Sequence, residues 1–373
     1  MSDSKIPEPD CLEGATHPRH TAQIFGQDRA EHAFLDAYNT SRLHHGWLIT
    51  GAQGIGKATL AWRIARFLLA ETSETSNEKR ALAKSLETPP ETALFRRISA
   101  LSEPRLYLCR RPWDQKGERL KKDITVDEVR KLKGFFNLSA ADGGRRVAIV
   151  DSADEMNISA ANALLKILEE PPEKTTILLI SHRPMSLLPT IRSRCRELRC
   201  APVGPDDLGR ALSLAGFDEG RIDAGLTTLA AGSIGEAIRL LASDGVPLYG
   251  ELVALLKSAP GMARPALLRM AESCGGKNAT GRYDLVLGLL ERLLHRLALA
   301  GIGADRLSNA VSGEIETLSR LSPDPARARI WAELSQTLAA RSAHGRAVNL
   351  DPTSVILDML LKIDQTAARQ ATA

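Results

Sequence analysis

The chain has 373 residues, of which 43% are hydrophobic and 25% charged, and its formal net charge is +4. This composition is typical of a folded protein of two or three domains and excludes extensive disorder. So small a net charge does not by itself require a nucleic acid or a membrane surface as a partner.

The cysteines and the apolar runs narrow the class of protein further. The five cysteines are scattered and form no CxxC pair. This pattern predicts neither a disulfide framework nor a metal site, and it favours a reducing, cytoplasmic compartment. No apolar run approaches the ~20 residues that a membrane span needs, so no membrane partner is expected.

The first half of the chain alternates between strand and helix patterns. A polar stretch with prolines predicts a flexible N-terminal arm over residues 1–20, and a helix is predicted over about 28–42. Short apolar runs predict strands at residues 47–50, 105–109, 147–150 and 176–180. Helix patterns follow the first run and precede the last, where Pro171 and Pro172 end the helix. The alternation indicates a parallel sheet with helices on both faces.

The second half of the chain has a different composition. From residue 203 onward it is rich in Ala, Leu and Arg at helical spacing, and no strand pattern is convincing. A polar, exposed excursion is expected at residues 71–91. After the arm, we therefore predict an α/β domain over 21–202, a small helical domain over 203–245 and an all-α domain over 246–373.

A glycine-rich loop joins the first predicted strand to its helix. The segment GAQGIGKAT matches the phosphate-loop pattern G-x-x-x-x-G-K, except that Ala58 stands where Ser or Thr is usual. Glycines let backbone N–H groups turn towards a phosphate, and Lys57 would reach the β- and γ-phosphates. The alternative is a purely structural turn after a strand. The candidate nucleotide-binding residues of the loop are Gly51, Gly54, Ile55, Gly56, Lys57, Ala58 and Thr59.

Several groups that ATP hydrolysis needs are missing around this loop. Asp151 ends an apolar strand and is the candidate carboxylate for Mg²⁺, but Ser152 follows it where many ATPases have a Glu that activates water. Ser152 also begins an S-x-x-E capping box, and the residues alone leave both interpretations open. Ala58 lacks the hydroxyl that binds Mg²⁺, and Thr59 lies about 100° away around the helix. The pattern leaves binding of ATP or ADP with Mg²⁺ open, as weak or absent, and predicts little hydrolysis.

One long segment resembles a known family. AANALLKILEEPPEKTTILLISHRPMSLLPTIRSRC, residues 160–195, is similar to the clamp-loader subunits of bacterial DNA polymerase III, which are AAA+ proteins. The shared features are a helix ending in LEEPP, a sensor strand, and the signature Ser193, Arg194 and Cys195. The segment FGQ at residues 25–27 resembles the family's N-terminal box. The resemblance covers most of residues 19–240 and implies a P-loop (AAA+) α/β domain, a helical lid and an all-α oligomerisation collar.

The resemblance also separates two kinds of subunit. The motor subunit, gamma/tau, would have a Ser or Thr after the loop lysine, a Glu after the metal-side Asp and an Arg in the lid. This chain has Ala58, Ser152 and Gly235 at those positions. The departures resemble the delta-prime subunit, which implies no independent enzymatic activity. An autonomous AAA+ ATPase of the motor, helicase or remodelling type remains the alternative.

In this family Arg194 would be an arginine finger that acts in trans on the ATP site of the adjacent motor subunit. The residues RSRCRELR alone favour a solvated basic turn instead. Ser181, at the end of the sensor strand, joins the candidate nucleotide-binding residues. The implied partners are the gamma/tau and delta subunits, the sliding clamp and primed DNA, in a hetero-oligomer expected to be a pentamer.

Two further interpretations concern metal and DNA. Many relatives carry a four-cysteine zinc module before the metal-side carboxylate, whereas this chain has only Cys109 there, so no zinc is expected. The basic segment 110–122 is rich in Lys and Arg and contains Trp113. A solvated surface is favoured for it over contact with a phosphate backbone.

Overall fold

The computed structural model describes residues 8–12, 14–70, 82–137, 144–276 and 280–372. Parts of the predicted arm and of the predicted excursion, at residues 1–7, 13 and 71–81, lie outside the described residues. The chain forms two compact units, Met1–Phe217 with Gly232–Glu236 and Asp218–Ala231 with Ala237–Ala373. The predicted domain boundaries after residues 20, 202 and 245 stay predictions.

The first unit is built on a five-stranded sheet with the order β2-β5-β6-β1-β7, in which every neighbouring pair is parallel. The strands are β1 (Gly46–Thr50), β2 (Leu106–Arg110), β3 (Trp113–Asp114), β4 (Arg119–Leu120), β5 (Arg146–Asp151), β6 (Thr175–Ser181) and β7 (Arg196–Arg199). The predicted parallel α/β fold is confirmed. Strand β7 and the antiparallel hairpin β3–β4 were not predicted.

Helices follow the strands as the sequence pattern indicates. Those of the first unit are α1 (Asp28–Asn39), α2 (Lys57–Ala70), α3 (Ala93–Ser99), α4 (Val126–Asn137), α5 (Ile158–Glu169), α6 (Pro189–Ser193) and α7 (Pro205–Leu214). Helix α5 begins after Asn157, whose side chain accepts a hydrogen bond from the Ala160 N–H. It ends before Pro171 and Pro172, which cannot continue a helix.

The two faces of the sheet carry separate cores, because successive strand residues point to opposite sides. Trp47 and Ile49 of β1 pack with α1 and α2 in one cluster. Leu48, between them, belongs to a second cluster with α4 and α5. Residues of β1, β5 and β6 are buried throughout, which is why these strands read as continuous apolar runs.

The described part of the predicted arm is anchored to this unit. Asp10 forms an ion pair with Arg110 at the end of β2, and its carboxylate lies 3.1 Å from His17 Nε2. Arg66 on α2 donates a hydrogen bond to the carbonyl of Arg19 at 3.0 Å. These contacts hold Asp10 near the carboxyl end of β2, where Arg110 pairs in register with Asp151, and hold Arg19 against α2.

Helix α9 (Ile234–Ala242) contributes its first residues to the first unit and the rest to the second. The second unit is helical in its described residues. Its other helices are α8 (Ala224–Ala230), α10 (Gly245–Lys257), α11 (Arg264–Glu272), α12 (Thr280–Gly303), α13 (Glu314–Leu321), α14 (Pro325–Ala347) and α15 (Pro352–Ala371). Within the described part of the chain, no helix combines the length and apolar character that a membrane crossing requires.

A charged network lies inside this helical unit. Glu314 is fully buried, and Arg296 donates to its two carboxylate oxygens at 2.6 and 3.0 Å. The Tyr249 hydroxyl donates to the same carboxylate at 2.6 Å, and the Ala310 N–H donates at 2.7 Å. Buried charges need such partners to offset their lost hydration, so the network joins α10, α12 and α13 tightly.

Candidate functional site

The predicted nucleotide residues meet at the carboxyl edge of the sheet. Thr50, at the end of β1, pairs in register with Ser181 at the end of β6. Asp151 ends β5, the strand on the other side of β6. The glycine-rich loop follows Thr50 directly, and α2 begins at Lys57. Open parallel sheets bind ligands at this edge, so the strand order supports the predicted location of the site.

The loop is closed by its own lysine. Lys57 is buried, and its Nζ donates hydrogen bonds to the carbonyls of Gly51, at 2.8 Å, and of Ala52. Burial lowers the pKa of Lys57 to about 8. The buried Gln27 side chain donates to the Ile55 carbonyl at 2.9 Å and so fixes the middle of the loop. The ammonium that would meet a phosphate is therefore satisfied by the loop backbone.

The remaining loop residues include glycines in conformations that glycine favours, but residue 58 offers no hydroxyl. Gly56 has a φ of 101°, a conformation that glycine adopts without strain. Ala58 and Thr59 are half-buried in the first turn of α2. Ala58 packs against the core cluster below the loop, where a methyl group offers no ligand to a metal ion.

The first turn of α9 covers the loop from the other side. Ser233 donates to the Gln53 carbonyl at 2.9 Å, and the Gly235 N–H donates to the Gly54 carbonyl at 3.0 Å. A Cβ atom on Gly235 would lie 2.9 Å from Gly54 Cα. Gly54 has a φ of 77° and is equally crowded. Position 235 is where a motor subunit would have its lid arginine. The glycine found there also has a structural role, because it lets the backbone of α9 pack directly on the loop.

Gly235→Ala is expected to destabilise the first unit by about 1–3 kcal/mol, because the new methyl group would overpack against backbone. Alanine within a helix normally stabilises by about 0.5–1 kcal/mol relative to glycine. Gly134→Ala in α4 is the matched control, since a Cβ there meets nothing within 4 Å. Urea unfolding of both variants provides the measurement. A Gly235→Ala protein as stable as the Gly134→Ala protein would contradict the packing argument.

Asp151 is buried, and its surroundings destabilise the charged form of its carboxyl group. Burial raises the pKa of Asp151 to about 7, with Asp10 and Glu155 adding to the increase and Lys57 and Arg110 opposing it. Near neutral pH the surroundings of Asp151 therefore disfavour its charged form, which is the form that binds Mg²⁺.

Ser152 precedes a short 3₁₀ turn and makes no side-chain capping bond. The Glu155 carboxylate accepts a hydrogen bond from the Ser152 N–H and pairs with Arg111 at 2.8 Å. Only one of the two bonds of a capping box is therefore present. No carboxylate directly follows Asp151, as the sequence indicates.

Ser181 is held by an aspartate that no motif in the sequence singles out. Its hydroxyl donates to Asp154 Oδ1 at 2.7 Å, and the other carboxylate oxygen of Asp154 accepts from the His182 N–H. Burial lowers the pKa of His182 to about 4, so its imidazole is neutral. Asp154 thus ties the end of β6 to the turn after β5.

The Ser-Arg-Cys signature lies at the opposite edge of the sheet. Arg194 directly follows α6, and a Cβ on Gly46, the first residue of β1, would lie 3.3 Å from its carbonyl and 3.2 Å from Cys195 Sγ. The Ser193 hydroxyl donates to the Thr190 carbonyl at 3.1 Å. Burial raises the pKa of Cys195 to about 12, so this thiol packs as an apolar group under the turn.

The Arg194 side chain itself is 37% exposed. Its Nη2 lies 2.8 Å from Glu169 Oε1, and its Nη1 donates to the Thr190 carbonyl at 3.1 Å. The five steps from Gly46 to Gly51 along β1 span about 16 Å at ~3.3 Å per residue. Arg194 therefore cannot reach the loop of its own chain.

The metal and DNA candidates occupy ordinary surroundings. In the described residues, no group of three or more His, Cys, Asp or Glu side chains is arranged to hold a metal ion. The basic segment 110–122 forms the hairpin β3–β4, and the first two of its arginines are engaged in ion pairs with Asp10, Glu8 and Glu155. Lys121 and Lys122 are exposed.

Comparison with known proteins identifies relatives of this chain. A family described as DNA polymerase III, delta subunit matches residues 26–204. DNA polymerase III subunit delta' of Pseudomonas aeruginosa is 38% identical over 160 residues, so the match spans less than half of each protein, 43% of this chain and 44% of that one. Subunit delta' of Escherichia coli K12 is 29% identical over 336 residues, covering 88% and 91%. A solved DNA polymerase III gamma subunit-related protein of Thermotoga maritima covers 90% of this chain and 99% of its own, at 19% identity and TM-score 0.37.

Proposed function

We propose that this chain, which belongs to the delta-prime family of DNA polymerase III clamp-loader subunits, is a scaffold subunit that supplies Arg194 in trans to a neighbouring ATPase. The neighbour is a gamma/tau-type motor subunit. The assembly is a hetero-oligomer, a pentamer by resemblance, that also contains a delta-type subunit. It places a sliding clamp on primed DNA during chromosome replication in the cytoplasm.

The position of Arg194 carries this proposal. The guanidinium is exposed on a turn, at the edge of the sheet opposite the chain's own loop. A phosphate that it contacts must therefore belong to another subunit. A fixed positive charge near a transferring phosphoryl group stabilises the charge that develops in the transition state. The experiment that tests this role is the ATPase of the assembled complex with Arg194→Ala.

The chain's own loop supports a scaffold role over an autonomous ATPase. Glycines and a lysine suited to a phosphate are present, so weak nucleotide binding fits part of the site. Mg²⁺ fits poorly, because Ala58 has no hydroxyl and the buried surroundings of Asp151 disfavour its charged form. Hydrolysis is disfavoured as well, because Ser152 cannot act as the base that activates water. Binding would also require Lys57 to exchange the carbonyls of Gly51 and Ala52 for a phosphate.

The isolated chain is expected to hydrolyse ATP at well under 1 s⁻¹, the low end of the ordinary range for enzymes. Its metal hydroxyl and water-activating carboxylate are both missing. The measurement is a coupled ATPase assay on the purified chain, with Lys57→Ala as the control for contaminating enzymes. Calorimetry at millimolar ATP or ADP separates weak binding from none. Turnover above about 1 s⁻¹ that Lys57→Ala abolishes would instead favour the autonomous ATPase.

A further inference from the structure

The ion pair between Arg194 and Glu169 joins two segments that the family resemblance treats separately. Glu169 is the last residue of α5, and Arg194 follows α6. Both side chains are substantially exposed, at 42% for Glu169 and 37% for Arg194, and their charged atoms lie 2.8 Å apart. The ion pair is therefore accessible to solvent and to a partner subunit, and neither charge is buried in a hydrophobic core.

Both residues are held firmly at the level of the backbone. His45 Nε2 lies 2.9 Å from the carbonyl of Leu168, which fixes the end of α5 beside the start of β1. Cys195 packs against Gly46 at the same point. The pairing of the two side chains thus follows from the packing of α5 and of the turn after α6 against the start of β1.

Glu169 also lies where a negative charge is electrostatically unfavourable. A helix C-terminus carries partial negative charge and favours basic side chains, yet α5 ends with Glu169 followed by Glu170. Arg194 supplies the compensating positive charge. Residues that are unfavourable for local stability tend to lie at functional sites, where the requirement of the function outweighs the local cost.

A finger must bring uncompensated positive charge to a phosphate. While Glu169 holds the guanidinium, much of that charge is neutralised and the side chain is directed towards its own chain. An exposed ion pair is weak, so a multiply charged phosphate competes with it effectively. We propose, on the basis of the function proposed above, that Glu169 is a positioning residue that restrains Arg194 until a neighbouring ATP exchanges for its carboxylate.

Glu169→Gln removes the restraining charge and keeps the size of the side chain. In a complex with the motor and delta-type subunits but without clamp or DNA, we expect the ATPase rate to rise about two- to fivefold, the gain from releasing one exposed ion pair. The stimulation by clamp and primed DNA should fall by the same factor. Glu170→Gln is the matched control, because it removes the adjacent charge and leaves the Arg194 ion pair intact.

The same substitution in an Arg194→Ala background completes a double-mutant cycle. If Glu169 acts through Arg194, Glu169→Gln has no effect on that background. An unchanged or lower basal rate in Glu169→Gln, or an equal rise with and without Arg194, would overturn the inference and leave the finger role intact. If Arg194→Ala alone has no effect on stimulated hydrolysis, the proposed function fails, and the role of Glu169 fails with it.

Discussion

Arg194→Ala is expected to leave the chain folded and assembled but to lower ATP hydrolysis at the neighbouring site by about 10³-fold, the contribution of an arginine finger in other phosphoryl-transfer proteins. Folding should be preserved because the side chain lies on a surface turn and forms one exposed ion pair. Clamp- and DNA-stimulated ATPase and clamp loading provide the measurements.

Two further variants test whether the expected loss of activity is specific to the guanidinium of Arg194. Arg194→Lys should restore little activity, because an ammonium on a different stem does not reproduce the planar fork of a guanidinium. Arg192→Ala is the matched control, since Arg192 is a half-buried arginine of α6, two residues before Arg194, whose Nη1 contacts Met185 Sδ at 3.0 Å. The complexes must be of verified composition, so that lost assembly is not scored as lost catalysis. Wild-type hydrolysis and loading by an intact Arg194→Ala complex would refute the role in trans.

Glu314→Ala is expected to lower the free energy of unfolding of the helical unit by about 3–5 kcal/mol, because Arg296 would remain as a buried charge without its carboxylate. Tyr249 would also lose its acceptor. Urea unfolding followed by circular dichroism provides the measurement. Asp358→Ala is the control, because its pair with Arg341 is exposed and should contribute less than about 1 kcal/mol. Equal losses in the two variants would show that the buried network adds no more stability than an exposed ion pair.

Strand burial explains which parts of the sheet could be predicted. Strands β1, β5 and β6 are buried along their whole length, so apolar runs revealed them. Strand β7 lies at the sheet edge with only Leu198 buried, and its charged sequence RELR favours a turn when it is considered alone. The hairpin β3–β4 has two-residue strands, too short for an alternating pattern to show.

The candidate site also has a part that local sequence motifs predicted and a part that only the structure revealed. The loop glycines, Lys57 and Asp151 belong to local motifs, so their positions at one edge of the sheet followed from the sequence. The contacts that close the loop are long-range, as with Ser233 and Gln53, which lie 180 residues apart. The pairing of Glu169 with Arg194 also depends on how α5 and α6 pack. No local pattern encodes such distances, and they required the structure.

The close packing of Gly235 on Gly54 has a consequence for the history of the chain and for its redesign. Changing Ala58, Ser152 and Gly235 to the residues of a motor subunit looks like three independent steps. The third is not independent, because any side chain at position 235 collides with the backbone of Gly54. An arginine there is tolerated only after the loop has shifted. The order of substitutions therefore matters, and the introduction of motor residues is obstructed at a position whose glycine contributes no chemistry of its own.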